Sequence, residues 1–500
     1  MDNELLDITK KSGFIFIGKL LGLIILFLFN FIVIKMIGSE IYGNFIYIYT
    51  FISFFPIICT LGLQQAMIFY IPAFINSRKY TEINSLVVFV MSIVFVTTIS
   101  CITLLIKNSD FISEFILNNK DYSINIIEQS SLIMFISVTS ILTGIFRGFG
   151  NVRYNIISEN FISPIVKILS VILLVHLGFK INSIQQAFYI SFLITSLYMI
   201  KGVLSLKVIG TIKVEFIPIY KDALQFGFPV VFTGILGYII QRIDIFMIGF
   251  FLSNKDVGIY NIAVQIGTIS CFILEAFSTI FASNISSLYH KGDINTLAQM
   301  YTFITKWIVF FNLIAFGIIL NFSADIMHLF GTDFMMGALA LILISIGQVV
   351  NAATGPAGVI NNMTGHPHYG IYISIVVLII GIALNYYLIP MYGINGAAFT
   401  SLLSITLSNL LRFRLMYKDH KIHPYNFQYI KIILAFLLSL SVTYILKSLV
   451  EMMWIIRFIL FSSIYIGLFV SFNYLFGLSS EDKKILNEFI KNFKKKVDFH

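Results

Sequence analysis

SEIYG at residues 39–43 is answered by NKDVG at residues 254–258. Each segment joins one long apolar run to the next, and each ends on glycine. The same offset, about 215 residues, carries Gly22 onto Gly237, Gly150 onto Gly365, Tyr154 onto Tyr369 and Gly178 onto Gly393. The first six apolar runs therefore resemble the next six. Parallel repeats related by an axis along the membrane normal are one way of building a secondary transporter, so the pattern predicts two bundled lobes in a bilayer.

Composition names the solvent. Of the 500 residues, 58% are hydrophobic and 11% charged, with a mean hydropathy of +0.92. A soluble domain carries about 25% charged residues, so this chain requires hydrocarbon around it. A spanning helix needs roughly 20 apolar residues. About fourteen runs qualify: 13–37, 42–71, 83–106, 124–146, 154–177, 184–206, 223–252, 258–287, 302–322, 336–362, 369–389, 394–416, 429–450 and 454–477. They are continuous, unlike the alternating segments of about 10 residues in a membrane barrel. Pro56 is expected to kink the long second run. The first run is too long for a cleavable signal. The predicted fold is an all-α integral membrane protein. Residues 1–212 form one six-helix lobe, 213–428 the other, 429–480 two extra helices, and 481–500 a basic tail.

Lysine and arginine sort the loops. With the N-terminus in the cytoplasm, about 23 of the 33 basic residues fall on that side. Both termini are then expected in the cytoplasm of a cell-membrane protein. The net charge of +9 reflects topology and calls for no nucleic acid. In the tail, Ile485, Phe489 and Phe493 share one side among lysines. That pattern fits an amphipathic helix on the anionic inner leaflet or a solvated tail. Cys59, Cys101 and Cys271 lie inside apolar runs. They suggest neither a metal site nor a disulfide framework. His366 and His368 flank Pro367 in a loop, where no metal is expected. No Walker loop, nucleophile elbow, dinucleotide fingerprint or HExxH motif occurs. No cofactor and no enzymatic reaction are expected, and transport would draw on a gradient.

Ionisable groups within spans are costly and default to functional candidates. In the first run, Lys19 has Ser12, Gly22 and Asn30 on or beside its face. In the fifth, Asn160, Ser163, Lys167 and Ser170 form a stripe with Glu159 at its edge, and Pro164 interrupts the backbone bonding. In the eighth, Thr268, Cys271, Glu275 and Ser278 line one face. The seventh holds Arg242 and Asp244, which point in nearly opposite directions and cannot pair directly. Asp244 shares its face with Gln241 and Gly237, which favours a cavity. Arg242 is placed to reach a neighbouring helix. Each charge also fits a buried pair that locks helices in register. Arg147 and Arg153 end the fourth and begin the fifth run, where topology alone also explains them. Their repeat partners, Asn362 and His368, are not strongly basic.

Three stretches carry a resemblance. They are IGSEIYG (37–43) with LGLQQAM (61–67), GIFRGFG (144–150), and DIFMIG (244–249) with VGIYNIA (257–263). Together they resemble the Wzx-like polysaccharide-biosynthesis flippases of the multidrug/oligosaccharidyl-lipid/polysaccharide exporter superfamily. The resemblance runs the whole chain, including two spans beyond a twelve-helix core. It implies two lobes around a cavity that opens alternately to each side. It also implies a substrate glycan on a polyprenyl phosphate or pyrophosphate, with the tail left among the membrane lipids. Lys19, Lys167 and Arg242 would then bind the phosphates, with Arg147 and Arg153 at the cytoplasmic entrance. Asp244 or Glu275 would carry a coupling proton or sodium ion. The protein is expected to act as a monomer. A cation-coupled multidrug exporter is the alternative, although it would want an acid-dominated cavity. A membrane glycosyltransferase or polymerase fits less well, because the outside loops are short.

Overall fold

Backbone amides and carbonyls in hydrocarbon find no water, so an apolar run must satisfy them internally, and a helix does so. The computed structural model follows this rule. It describes all residues except 1, 152, 180–181, 206–218, 451 and 478–500, and the described residues contain helices and no strand. The expected amphipathic tail lies outside the described residues. Among the described residues, thirteen helices are long and apolar enough to cross a membrane, or fourteen when one bent pair is taken as a span. The first six spans are Ile17–Ile37, Ser39–Cys59, Tyr80–Lys107, Tyr122–Gly148, Arg153–His176 and Ser183–Ser205, numbered 1 to 6. Spans 7 to 12 are Ile219–Phe251, the pair Asn254–Gly267 with Cys271–Ser278, Ile294–His328, Thr332–Thr354, His368–Tyr392 and Ile394–His420. Phe427–Leu449 and Trp454–Leu475 are spans 13 and 14. This is a multi-pass membrane protein, and its order of spans is the order of apolar runs.

Three spans depart from a straight rod. The run 42–71 breaks into Ser39–Ile52, Phe55–Cys59 and Leu63–Asn76. Pro56 opens the short middle helix, where its missing N–H costs nothing, and the second break is a left-handed pair, Leu61 and Gly62. A Cβ on Gly62 would lie 2.8 Å from the Gly227 carbonyl carbon, so two backbones nearly touch there. Span 8 bends by 47° between Gly267 and Cys271. In span 5, Ser158–Ile162 widens into a π turn just before Pro164, whose ring nitrogen cannot close an α-turn.

The repeat is visible in how helices end. Gly150 N–H bonds Arg147 O and Asn151 N–H bonds Phe146 O. At the equivalent turn, Gly365 N–H bonds Asn362 O and His366 N–H bonds Asn361 O. Both glycines are left-handed, with φ of 69° and 92°, as this helix stop requires. The two copies of the opening motif meet directly: a Cβ on Gly43 would overlap Asn254 O and stand 2.7 Å from its carbonyl carbon.

The chain divides into two compact units. One comprises residues 1–262, 329–334 and 374–397; the other comprises 263–328, 335–373 and 398–500. The first has a core that includes Leu63, Met67, Val90, Ile145 and Met199. The second has one that includes Tyr301, Ile308, Ile360, Phe436 and Phe469. There, spans 13 and 14 pack on span 9. Tyr465 seats its ring over Gly317 and donates to Leu313 O at 2.8 Å, and Lys447 lies 3.7 Å from Asp325. Many large apolar side chains, among them Leu169, Leu173, Ile379 and Leu475, stay exposed. A bilayer covers such a surface.

Candidate functional site

Asp244 is held from two other helices. Its Oδ2 accepts from Tyr260 Oη at 2.8 Å and its Oδ1 accepts from Asn385 Nδ2 at 2.6 Å. Tyr260 comes from the first half of span 8 and Asn385 from span 11. Asn385 is fully buried, and its Oδ1 has no hydrogen-bond partner among the described residues. A partly buried carboxylate and a buried amide whose oxygen is unsatisfied thus form one hydrogen-bonded pair. Seven residues earlier on the same face, nothing lies within 4 Å of a Cβ added at Gly237. Beside this site, buried Tyr42 donates to Asn30 Oδ1 at 3.0 Å and accepts from Asn261 Nδ2 at 2.8 Å, tying spans 1, 2 and 8 together.

Lys167 and Arg242 border one aromatic cluster. Lys167 Nζ stands 3.9 Å from the Phe188 ring centre and 5.2 Å from that of Phe192. Phe188 in turn packs on Phe45 and Tyr49, at centroid distances of 4.7 and 5.0 Å. Tyr49 and Tyr238 lie within electrostatic reach of half-buried Arg242. A desolvated cation–π contact is worth about 2 kcal/mol, so the rings hold Lys167, which among the described residues forms no ion pair. The rest of its stripe serves packing. Ser163 and Ser191 hydroxyls lie 3.1 Å apart, and Asn160 fills the space left by Gly22.

The other sequence candidates are placed separately. Lys19 is exposed on span 1, ten residues before Phe29, or about 15 Å along the helix. Phe29 reaches the same cluster, 6.1 Å from Phe188. The side chain of Ser12 lies outside the described residues. Arg147 and Arg153 are exposed at the turn between spans 4 and 5, and Glu159 accepts from Thr143 in the π turn. Glu275 is exposed in the second compact unit, whereas Asp244 belongs to the first. Of the stripe beside Glu275, Thr268 bonds its own helix at Val264 O, and Cys271 joins Gln348 and Asn351. Sequence reading missed Tyr260, Asn385, Gln348 and Asn351. A lone tyrosine or amide in an apolar run announces nothing until a partner helix brings it to a charge.

The chain is similar to proteins of several kinds. The family model described as polysaccharide biosynthesis protein matches residues 8–281, and the MatE model matches 229–387. Probable flippase AglR of Haloferax volcanii is 28% identical over 182 residues, which are 35% of this chain and 38% of that protein. Probable low-salt glycan biosynthesis flippase Agl15 of the same organism is 24% identical over 36% of this chain and 39% of its own length. An uncharacterized membrane protein of Methanocaldococcus jannaschii is 23% identical over 90% of this chain and 92% of its own. Among solved structures, lipid II flippase MurJ in an inward closed conformation superposes with a TM-score of 0.71 at 16% identity, covering 93% of this chain and 98% of MurJ. An inward-facing multidrug resistance MATE transporter gives 0.67 at 16% identity, over 79% and 94%. The fold is the all-α transporter fold those structures share, and with more than half its length matched by one model, the chain belongs to the polysaccharide biosynthesis protein family.

Proposed function

We propose that this protein is a flippase carrying an oligosaccharide on a polyprenyl phosphate or pyrophosphate across the cytoplasmic membrane by alternating access. The observation that carries the reading is Lys167 lying on an aromatic cluster, with a second cation, Arg242, within electrostatic reach of its Tyr49, inside a bundle poor in charge. A pyrophosphate with several sugars cannot cross about 30 Å of hydrocarbon unaided. Lysine and arginine replace its lost hydration by charge-assisted hydrogen bonds. Aromatic rings offer flat apolar faces to the C–H surfaces of sugars. Lys19, Arg147 and Arg153, all exposed, extend the positive path, with the two arginines at the cytoplasmic entrance. The lobes at 1–212 and 213–428 rock around the substrate while its tail stays in lipid. Both termini face the cytoplasm, and one chain suffices.

Asp244 is the ion-coupling residue in this reading, with Glu275 as second candidate. The Asp244 carboxylate and the unpartnered Asn385 oxygen make an oxygen-rich setting suited to a proton or a hard cation such as sodium. The flippase names of similar proteins support the substrate class.

The test uses purified protein in vesicles with a fluorescent polyprenyl-pyrophosphate oligosaccharide. Wild type moves the lipid across the bilayer, and Lys167→Ala with Arg242→Ala abolishes movement at unchanged protein level. Transport of organic cations, with the glycolipid left in place, would instead support the multidrug reading and refute this one.

A further inference from the structure

The second compact unit holds a pocket of about 240 Å³ whose lining includes none of Lys167, Arg242 and Asp244. Its polar lining is Ser278, Asn351, Asn361, Asn362, Asn409 and Arg412. Arg412 lies eight residues before the end of span 12, about 12 Å from His420. Among the described residues no acid forms an ion pair with it. Its position is fixed twice. A Cβ on Gly358 would lie 3.3 Å from Arg412 Cδ and 3.7 Å from Nε and Nη1, so the side chain lies directly over a bare backbone. Its carbonyl oxygen accepts from Asn361 Nδ2 at 3.0 Å. A carbonyl can only accept, so that bond also fixes which way the Asn361 amide points. Asn361 is 3% exposed, and its Oδ1 has no partner among the described residues. The pocket therefore presents a guanidinium without an anion, and its wall holds a buried acceptor without a donor, among further amides.

We infer that this pocket binds a phosphorylated sugar, with the phosphate on Arg412 and a hydroxyl donating to Asn361 Oδ1. Arginine's planar fork matches phosphate oxygens two at a time. Asparagine amides both donate and accept, which suits hydroxyls of either polarity. The volume is below the roughly 300–1,000 Å³ of drug-sized ligand sites and suits one sugar phosphate. In the repeat, Asn362 occupies the position of Arg147. Here the cation reaches the equivalent turn from span 12, a substitution the linear alignment conceals. The pocket lies within one compact unit and does not depend on the flippase reading.

The test is calorimetric titration of the purified full-length chain in detergent with glucose 1-phosphate, glucose and inorganic phosphate. Glucose 1-phosphate should bind saturably and about tenfold more tightly than inorganic phosphate, since it puts a sugar hydroxyl on Asn361 while its phosphate stays on Arg412. Glucose should bind too weakly to measure. Arg412→Gln should weaken glucose 1-phosphate by at least about tenfold, with Arg412→Lys intermediate. Should Arg412→Gln fail to fold, exposed Asn362→Asp sets a like charge at the rim and should weaken binding severalfold. Repeating the titration in phosphatidylcholine nanodiscs with phosphatidylinositol 4-phosphate separates the sources. Loss of glucose 1-phosphate binding there assigns the pocket to a lipid headgroup, and unchanged binding assigns it to a free sugar phosphate. Absence of saturable phosphate binding by folded wild type, or wild-type affinity in the folded variants, would overturn the inference. Glycolipid flipping by the same variants is scored separately in vesicles, so either reading can fail alone.

Discussion

Gly43→Ala adds one methyl group where the two copies of the opening motif touch. The new Cβ would overlap Asn254 O and lie 2.7 Å from its carbonyl carbon and 3.0 Å from Gly258 N. Carbon–carbon contacts settle at about 3.5–4.0 Å, so the helices must part by about 1 Å. The neighbours are backbone atoms of a second helix and cannot swing aside. Overpacking of this kind costs about 1–3 kcal/mol. In the proposed alternating-access cycle the penalty falls only on the state in which these helices touch. At about 2 kcal/mol it shifts the balance toward the parted state roughly 30-fold. Val257, fully buried beside this contact, is the reporter. In a Val257→Cys background, thiol labelling in membranes follows the population of the parted state and should accelerate by that factor. Gly237→Ala is the control, since nothing lies within 4 Å of its added Cβ. A labelling rate within about twofold of the parent, in folded Gly43→Ala protein, would refute the argument that this contact opens during the cycle.

Four further outcomes are expected. Asp244→Asn keeps the neutral shape but removes the charge that Tyr260 and Asn385 serve; flipping in vesicles should lose its acceleration by an imposed proton or sodium gradient, while glycolipid binding persists. Phe188→Leu removes the ring 3.9 Å from Lys167 Nζ and should weaken glycolipid binding about tenfold through loss of cation–π and stacking contacts, read by competition with the fluorescent substrate. Gly150→Ala and Gly365→Ala each force a side chain into a left-handed turn with open space around it, so each should cost about 1–2 kcal/mol in thermal unfolding, and by similar amounts. Cysteines at positions 213 and 418 should label only from the cytoplasm and one at 325 only from outside; the reverse pattern would overturn the proposed orientation.

Sequence alone fixed the solvent, the helical class, the order of the spans and the internal repeat. These follow from local physics: a long apolar run has one way to bond its backbone in hydrocarbon, and a glycine that stops a helix must be left-handed wherever the chain takes it. Gly150 and Gly365 were therefore legible as a pair before their matching turns were known. Breaks were harder to place. Pro56 marked the first break in the second run, but the second falls at Leu61 and Gly62, where another backbone approaches and no proline announces it. The charges were legible as residues and not as sites. Lys167 lay on an amphipathic stripe, yet its serine and asparagine neighbours contact adjoining helices, while the lysine lies over rings from span 6. Asp244 stood out, but Asn385, 141 residues away, gives its setting meaning. Only tertiary structure decides such matters, because a side chain's role in a dry bundle depends on which partner its helix meets, and helical periodicity specifies a face without specifying what it will face.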